Sequence, residues 1–406
     1  MRRIIRATAT LALLTLGTAC SGGSGESSGT SAPASGSAAS ASGTSASATT
    51  GGASAAPFQI TEVAAYDEPW AMTFLPGTPY AAITQRGGQL IVRDMEAGTD
   101  LDVDNEPEVA AGGQGGLGDI IAAPSYEQDQ RIYLSWVEPG DNGTRGAVVG
   151  NGRLVIDDVS ARIENLNVIW RQVPKVEGEG HFGHRLAMSP DGTYLFVSSG
   201  ERQQFDPAQD PGTNLGKILR LNPDGSPAQG NPLSDQEYPS DEIWSWGHRN
   251  PLGLAFDAAG NLWESEMGPK GGDEINLIRA GANYGWPKAS NGSHYSGEDI
   301  PDHAEGDGYE APKVFWNPSI SPGGLMIYSG SAFPEWVGDA FVPALSGQSL
   351  IRVDIDGTSA TAADQWSDGP LGERLREVEQ GPDGTIWVLQ DGGGGKLLHL
   401  TPPAST

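Results

Sequence analysis

The chain runs to 406 residues, with 24 basic side chains against 52 acidic ones, a formal net charge of −28 and a single cysteine. So acidic a chain lacks the basic footprint that nucleic-acid binding needs, and one cysteine leaves no disulfide framework. The length suits one large domain or two ordinary ones.

The first segment, MRRIIRATATLALLTLGTAC, puts Arg2, Arg3 and Arg6 ahead of a short apolar run, Ala7 to Gly17. That run is too brief to span a bilayer as a mature helix, so residues 1–19 read as an export signal. Cys20 stands where the lipid-bearing first residue of a bacterial lipoprotein would stand. An ordinary secretory signal with an incidental cysteine is the alternative. The expected location is extracytoplasmic, with membrane contact only through the lipid. Residues 20–56 are almost all Ser, Gly, Ala and Thr, with Glu26 as the one charge. Such a segment buries too little apolar surface to offset its ordering entropy and reads as a flexible tether.

Residues 57–403 are dominated by short β-rich runs such as YAAIT, QLIVRD, RIYLSWVE, YLFVSSG and TIWVLQD, with Gly, Pro, Asp and Asn clustered between them. This is the pattern of a large all-β domain. One signature recurs, a tight turn followed by an aromatic-containing strand: LPGTPYAAIT, SPDGTYLFV, DAAGNLWES and GPDGTIWVL. Its turn glycines, Gly77, Gly192, Gly260 and Gly384, are 115, 68 and 124 residues apart. Taken as two, one and two periods, these gaps predict about six units and a six-bladed β-propeller. A pair of β-sandwiches is the alternative, but it gives no reason for the spacing.

In a propeller, loops scattered along the chain converge at one end of the central channel, so chemistry is expected on such loops. AAGGQGGLGD sets Gln114 among glycines that let backbone approach a ligand; a plain surface loop reads equally. EGHFGHRLAMSPDG carries His181 and His184 beside Arg185, open to three readings: a metal pair, a general base or buried packing. WSWGHRNPLGLAF presents Arg249 and Asn250 in a turn before Pro251, suited to a carboxylate or carbonyl-rich planar ligand, with His248 structural. ESEMGPKGGDEINLIRAGANYGWP crowds Glu264, Glu266, Asp273 and Glu274 into a Gly/Pro-rich loop of the kind a hard cation such as calcium prefers. In ERLREVEQGPDG, Arg374 and Arg376 would share one face of a strand as an anion site, or simply decorate an exposed face.

Taken in this order, GQGGLGD, HFGHRL, GHRNPLGLAF, GPKGGDEINLI with GANYGWP, and RLREV…GPDG resemble the soluble pyrroloquinoline quinone (PQQ)-dependent glucose and aldose sugar dehydrogenases, which are six-bladed propellers. The resemblance covers most of residues 58–402 and is nearer to the aldose branch. It implies oxidation of an aldose at its anomeric carbon to a lactone by hydride transfer to PQQ. It implies His181 as the base, Gln114, Arg249 and Asn250 as PQQ contacts, and Arg249 steadying the charge that develops on oxygen. Tyr295 matches an aromatic covering the quinone, and Arg374 and Arg376 match the pair facing the cofactor carboxylates. Carbonyls of Gly268 and Pro269 match ligands of the calcium beside PQQ; Glu274 and the backbone of Tyr284 match those of a second calcium. Two departures stand out. Where the family has a lysine near the cofactor, PALSGQSL offers Ser346, Gly347 and Gln348. Gly118 and His184 also differ from the usual leucine and small residue. The electron acceptor is left unnamed, since no haem motif is present. A calcium-dependent lactonase-type propeller and a non-catalytic cell-surface binding propeller are the other readings.

Overall fold

The computed structural model describes residues 56–404; the export signal, Cys20 and nearly all of the tether lie outside the described residues. Twenty-four strands form six four-stranded antiparallel blades, as the turn spacing predicts. Blade 1 is Pro69–Phe74, Tyr80–Gln85, Leu90–Asp94 and Thr99–Asp104. Blade 2 is Leu117–Ala122, Arg131–Pro139, Arg145–Asp157 and Ser160–Arg171. Blade 3 is Gly183–Met188, Leu195–Ser199, Lys217–Leu221 and Ile243–Trp246. Blade 4 is Pro251–Phe256, Leu262–Glu266, Asp273–Ile278 and Val314–Trp316. Blade 5 is Met326–Ile327, Ala340–Ala344, Ser349–Asp356 and Ser359–Trp366. Blade 6 takes Leu375–Gln380, Ile386–Gln390 and Gly393–Thr401 from the C-terminal end and its outermost strand, Gln59–Asp67, from the other, paired from Gln59↔Thr401 to Asp67↔Gly393. That pairing closes the ring without a covalent link.

The four signature glycines all lie in the first hairpin of a blade, in blades 1, 3, 4 and 6, with φ of 73, 71, 83 and 80°. Only glycine adopts that left-handed turn without strain. Blades 2 and 5 replace the tight turn with longer connections holding a short helix, Tyr126–Asp129 and Pro334–Trp336, which is why the signature skips them. Middle strands such as Leu195–Ser199 are buried throughout, whereas the outermost strand Ser359–Trp366 alternates toward solvent. The apolar core is divided among the seams. Six of its clusters each join one pair of successive blades, from Trp70 with Leu134 between blades 1 and 2 to Ile83 with Leu389 between 6 and 1.

One side chain ties the ring at its centre. Arg185, on the inner strand of blade 3, stacks over Trp70 of blade 1 at 4.0 Å and pairs with Asp119 of blade 2 and Glu377 of blade 6. It donates to the carbonyls of Leu252 in blade 4 and of Gly323 just before blade 5, each at 2.7 Å. All six blades meet on this guanidinium.

Candidate active site

His181 lies just ahead of the inner strand of blade 3, with φ at 52°, a left-handed conformation uncommon for a non-glycine residue. Its surroundings over-determine it. The backbone N–H donates to Gln114 Oε1 at 2.8 Å, the carbonyl accepts from Arg202 N at 3.1 Å, and Nδ1 lies 2.5 Å from Glu201 Oε1. Fully buried Arg202 donates to the carbonyls of Gly178 at 2.7 Å and Gly180 at 2.9 Å and covers the Phe182 ring at 3.7 Å. Glu201 therefore holds the imidazole while Arg202 holds its loop. Burial pushes the His181 pKa down, the Glu201 hydrogen bond opposes this, and the charges of Arg249 and Arg202 add to the lowering. A neutral ring with its Nδ1 proton on Glu201 has Nε2 available as a proton acceptor.

The GHRN turn is set from behind by Glu266, whose Oε2 accepts from Arg249 N at 2.6 Å and Asn250 N at 3.3 Å. The Arg249 guanidinium donates to the carbonyls of Met267 at 2.9 Å and Gly268 at 2.6 Å and to Tyr295 Oη at 3.3 Å. Asn250 Nδ2 donates to Gln114 Oε1 at 3.3 Å. Arg249 Nε and Asn250 Oδ1 stay buried without partners. An unmet buried polar atom costs about 1–3 kcal/mol, so this donor and acceptor suit a ligand that supplies both complements.

Arg374 and Arg376 meet on one carboxylate. Their Nε atoms each lie 2.9 Å from an oxygen of Asp391. Burial would raise the Asp391 pKa, but Arg376 and then Arg374 outweigh it and hold it below the ordinary value. Both arginines, with Trp70, Arg86, Gln114 and Met267, line a cavity of about 310 Å³. A second cavity of about 310 Å³ is lined by His181, Glu201, Arg249, Pro269 and Tyr295. Hydrogen bonds from Gln114 to His181 and Asn250 join the two walls. The structure thus brings Gln114, His181, Arg249, Asn250, Pro269, Tyr295, Arg374 and Arg376 to one end of the propeller. Ser346, Gly347 and Gln348 occupy a turn of blade 5, where Ser346 Oγ is 2.8 Å from Ser321 Oγ and Gly347 N donates to Ile320 O. Ser321 and Leu345, rather than Ser346, line the first cavity.

One expectation is corrected. Glu264, Glu266, Asp273 and Glu274 do not crowd a loop. They lie on adjacent strands of blade 4, with Glu266 paired to Glu274 and Glu264 to Asn276, and only the connection between the strands is Gly/Pro-rich. Asp273 turns away to accept from the backbone N–H groups of Gly268, Ile320 and Ser321, and burial pushes its pKa up to about 6. The other three share the amide of Asn276, and His248, Glu264 and Glu266 can bring one donor atom each within 4.8 Å of one another. Burial first, then the charge of Glu266, raises the Glu264 and Glu274 pKa values well above normal. Glu266, Glu274 and Tyr284 border a void of about 10 Å³, the size of a single ion or water.

Sequence reasoning missed Glu201, Asp391 and Arg86. Each is a lone charge in a turn, and its partner lies far off in the chain. The structure also explains the two departures at 118 and 184 as one exchange. The His184 ring fills the space a side chain at Gly118 would need, donates to or accepts from Ser135 Oγ at 2.8 Å and stacks on Trp70 at 5.0 Å. Burial depresses its pKa to about 3. Gly118→Ala alone is expected to destabilise by about 1–3 kcal/mol through overpacking, and much less in a His184→Ala background. Chemical denaturation of the four-member cycle measures this coupling; additive effects would contradict it.

Against known proteins, residues 66–399 match the Glucose / Sorbosone dehydrogenase family model. The chain is 41% identical over 346 residues to aldose sugar dehydrogenase YliI of Escherichia coli, covering 83% of this chain and 90% of that protein. Its fold superposes on the apo-form crystal structure of the soluble E. coli aldose sugar dehydrogenase with a TM-score of 0.80, at 38% identity, over 85% of this chain and all of that one. The PQQ-bound aldose sugar dehydrogenase of Streptomyces coelicolor gives a TM-score of 0.69 at 28% identity, over 85% of this chain and 98% of that one. The chain therefore belongs to the glucose/sorbosone dehydrogenase family of sugar oxidoreductases.

Proposed function

We propose that this protein is an aldose sugar dehydrogenase that uses PQQ and calcium to oxidise the anomeric carbon of a sugar to a lactone. The observation that carries the proposal is the His181–Glu201 pair opening into a cavity beside the unpartnered Arg249 Nε and Asn250 Oδ1. The residues fit the cofactor: a planar ligand rich in carbonyls and carboxylates would meet Arg249, Asn250 and Gln114 at one end and Arg374 and Arg376 at the other. PQQ when bound supplies the hydride acceptor, and calcium, a hard cation suited to the carbonyls of Gly268 and Pro269, polarises its reacting carbonyl.

The chain's own residues do the rest. His181 Nε2 takes the proton of the anomeric hydroxyl as the hydride leaves C1, and Glu201 stabilises the imidazolium that forms. Arg249 steadies negative charge that develops on oxygen at the acceptor. Arg374 and Arg376 offset, for an anionic cofactor, the field of a protein with net charge −28. Glu274 and the backbone of Tyr284 fit a second, structural calcium. A cation there would relieve the repulsion among Glu264, Glu266 and Glu274. Export and a lipid anchor at Cys20 complete the proposal.

The test uses purified protein loaded with PQQ and calcium and follows aldose-dependent reduction of an artificial dye. Activity must require PQQ, and Arg376→Ala should weaken PQQ binding roughly 10- to 100-fold by fluorescence titration, the worth of a charged hydrogen-bonding partner. Unchanged PQQ affinity, or PQQ-independent activity, would remove the cofactor assignment. Fractionation of expressing cells that left the full-length chain in the cytosol would remove the export part.

A further inference from the structure

The cavity at His181 extends into an aromatic annex that the proposed reaction does not use. The Phe205 ring stacks on Trp286 with centroids 5.7 Å apart and 29° between planes, and His294 lies 6.1 Å from Phe205 and 6.5 Å from Trp286. Tyr295 and Glu298 complete the mouth. Phe205 is 45% exposed and Tyr295 75%, so flat apolar faces are held open to solvent beside the base.

The backbone is strained to present Phe205 there. Arg202, Gln203 and Phe205 have φ of 61, 60 and 64°. Left-handed conformations cost bulky L residues of order 1–3 kcal/mol each, and they persist where neighbours over-determine them. Here the restraint is Glu201, whose Oε2 accepts from Phe205 N at 2.6 Å while Oε1 holds His181. One carboxylate thus fixes the spacing between the base and the aromatic shelf.

We propose that Phe205 and Trp286 form a second sugar subsite, which takes a ring glycosidically joined to the aldose whose C1 lies at His181. The substrate class is then reducing disaccharides and longer reducing oligosaccharides. The proposal rests on the aldose reading above and adds which aldoses the site favours. A pyranose has an apolar C–H face and a polar hydroxyl rim. The flat aromatic faces match the first, while His294 and Glu298 at the edge can hydrogen-bond the second. A cavity of about 310 Å³ is at the small end of ligand pockets, and its opening at Phe205 and Tyr295 lets further rings project into solvent.

The test measures kcat/KM for cellobiose, maltose and glucose in the PQQ- and calcium-loaded enzyme, with Phe205→Ala and Phe205→Tyr beside wild type. The disaccharide-to-glucose ratio is expected to fall about tenfold in Phe205→Ala and to recover in Phe205→Tyr, which keeps the flat ring. A ratio unmoved by Phe205→Ala, or equally low in Phe205→Tyr, overturns the subsite. Saturation-transfer NMR with cellobiose gives a readout independent of turnover. Wild type should saturate protons of the non-reducing ring and Phe205→Ala should lose that signal; no saturation of that ring in wild type also overturns the subsite. If no aldose is oxidised at all, the reaction assignment fails, and the NMR result still decides the subsite by itself.

Discussion

His181→Ala is expected to lower kcat for aldose oxidation by about a thousandfold, within the roughly 10²–10⁴ range of a positioned general base. Dye reduction by the PQQ-loaded variant measures it. Glu201→Gln separates the base from its support. A glutamine amide can donate to Nδ1 and place the ring proton on Nε2, so a loss of about 10²-fold or more is expected from the wrong tautomer alone. The pH profile adds a signature of charge. Burial already lowers the His181 pKa, and Glu201 is what raises it. Activity is lost as pH falls through that pKa, so removing the Glu201 charge should move the acid limb to lower pH. An acid limb that moves upward, or a kcat within twofold of wild type for either variant, would show that His181 is not the base.

Arg185→Met should destabilise the folded protein by about 3–5 kcal/mol, the usual result of leaving buried carboxylates without their cation. The residue is 4% exposed, and its loss strands Asp119 and Glu377 at the junction of six blades. The effect should depend on pH with a definite sign. Burial pushes the Glu377 pKa up to about 7 and raises that of Asp119, although the charge of Arg185 lowers both. A carboxyl whose folded pKa is raised contributes stability that is present below its unfolded pKa and lost as pH rises through the folded one. Without Arg185 both folded values rise further, so the deficit of the variant should be larger at pH 8 than at pH 5. Denaturant melts at the two pH values check this. A deficit that is equal at both, or larger at pH 5, would mean that the guanidinium acts by packing on Trp70 and not as a counter-ion.

The six-fold architecture was legible in the chain because a blade's first hairpin is a local object. A turn glycine with positive φ followed by an aromatic strand can be recognised within ten residues, and Gly77, Gly192, Gly260 and Gly384 carry it. The crowding of acidic residues near Glu264 was legible as composition but not as geometry. The alternation Glu264-Ser265-Glu266 runs along a buried strand, and in a Gly/Pro-rich stretch a loop and a strand end look alike. Partnerships across blades left no local trace. Asp391 lies fifteen residues beyond Arg376, and Glu201 lies twenty beyond His181.

By itself the sequence determined the acidic charge, the β class, the blade count and the family motifs, since each depends on neighbours along the chain or on summed composition. Only the tertiary structure decided which oxygen holds the His181 ring. It also showed that Gly118 and His184 are two halves of one packing exchange, that a single arginine joins all six blades, and that Phe205 faces the base. Those outcomes depend on distances between residues that ring closure brings together, and a propeller sets them only when its outermost strand, Gln59–Asp67, pairs with Gly393–Thr401.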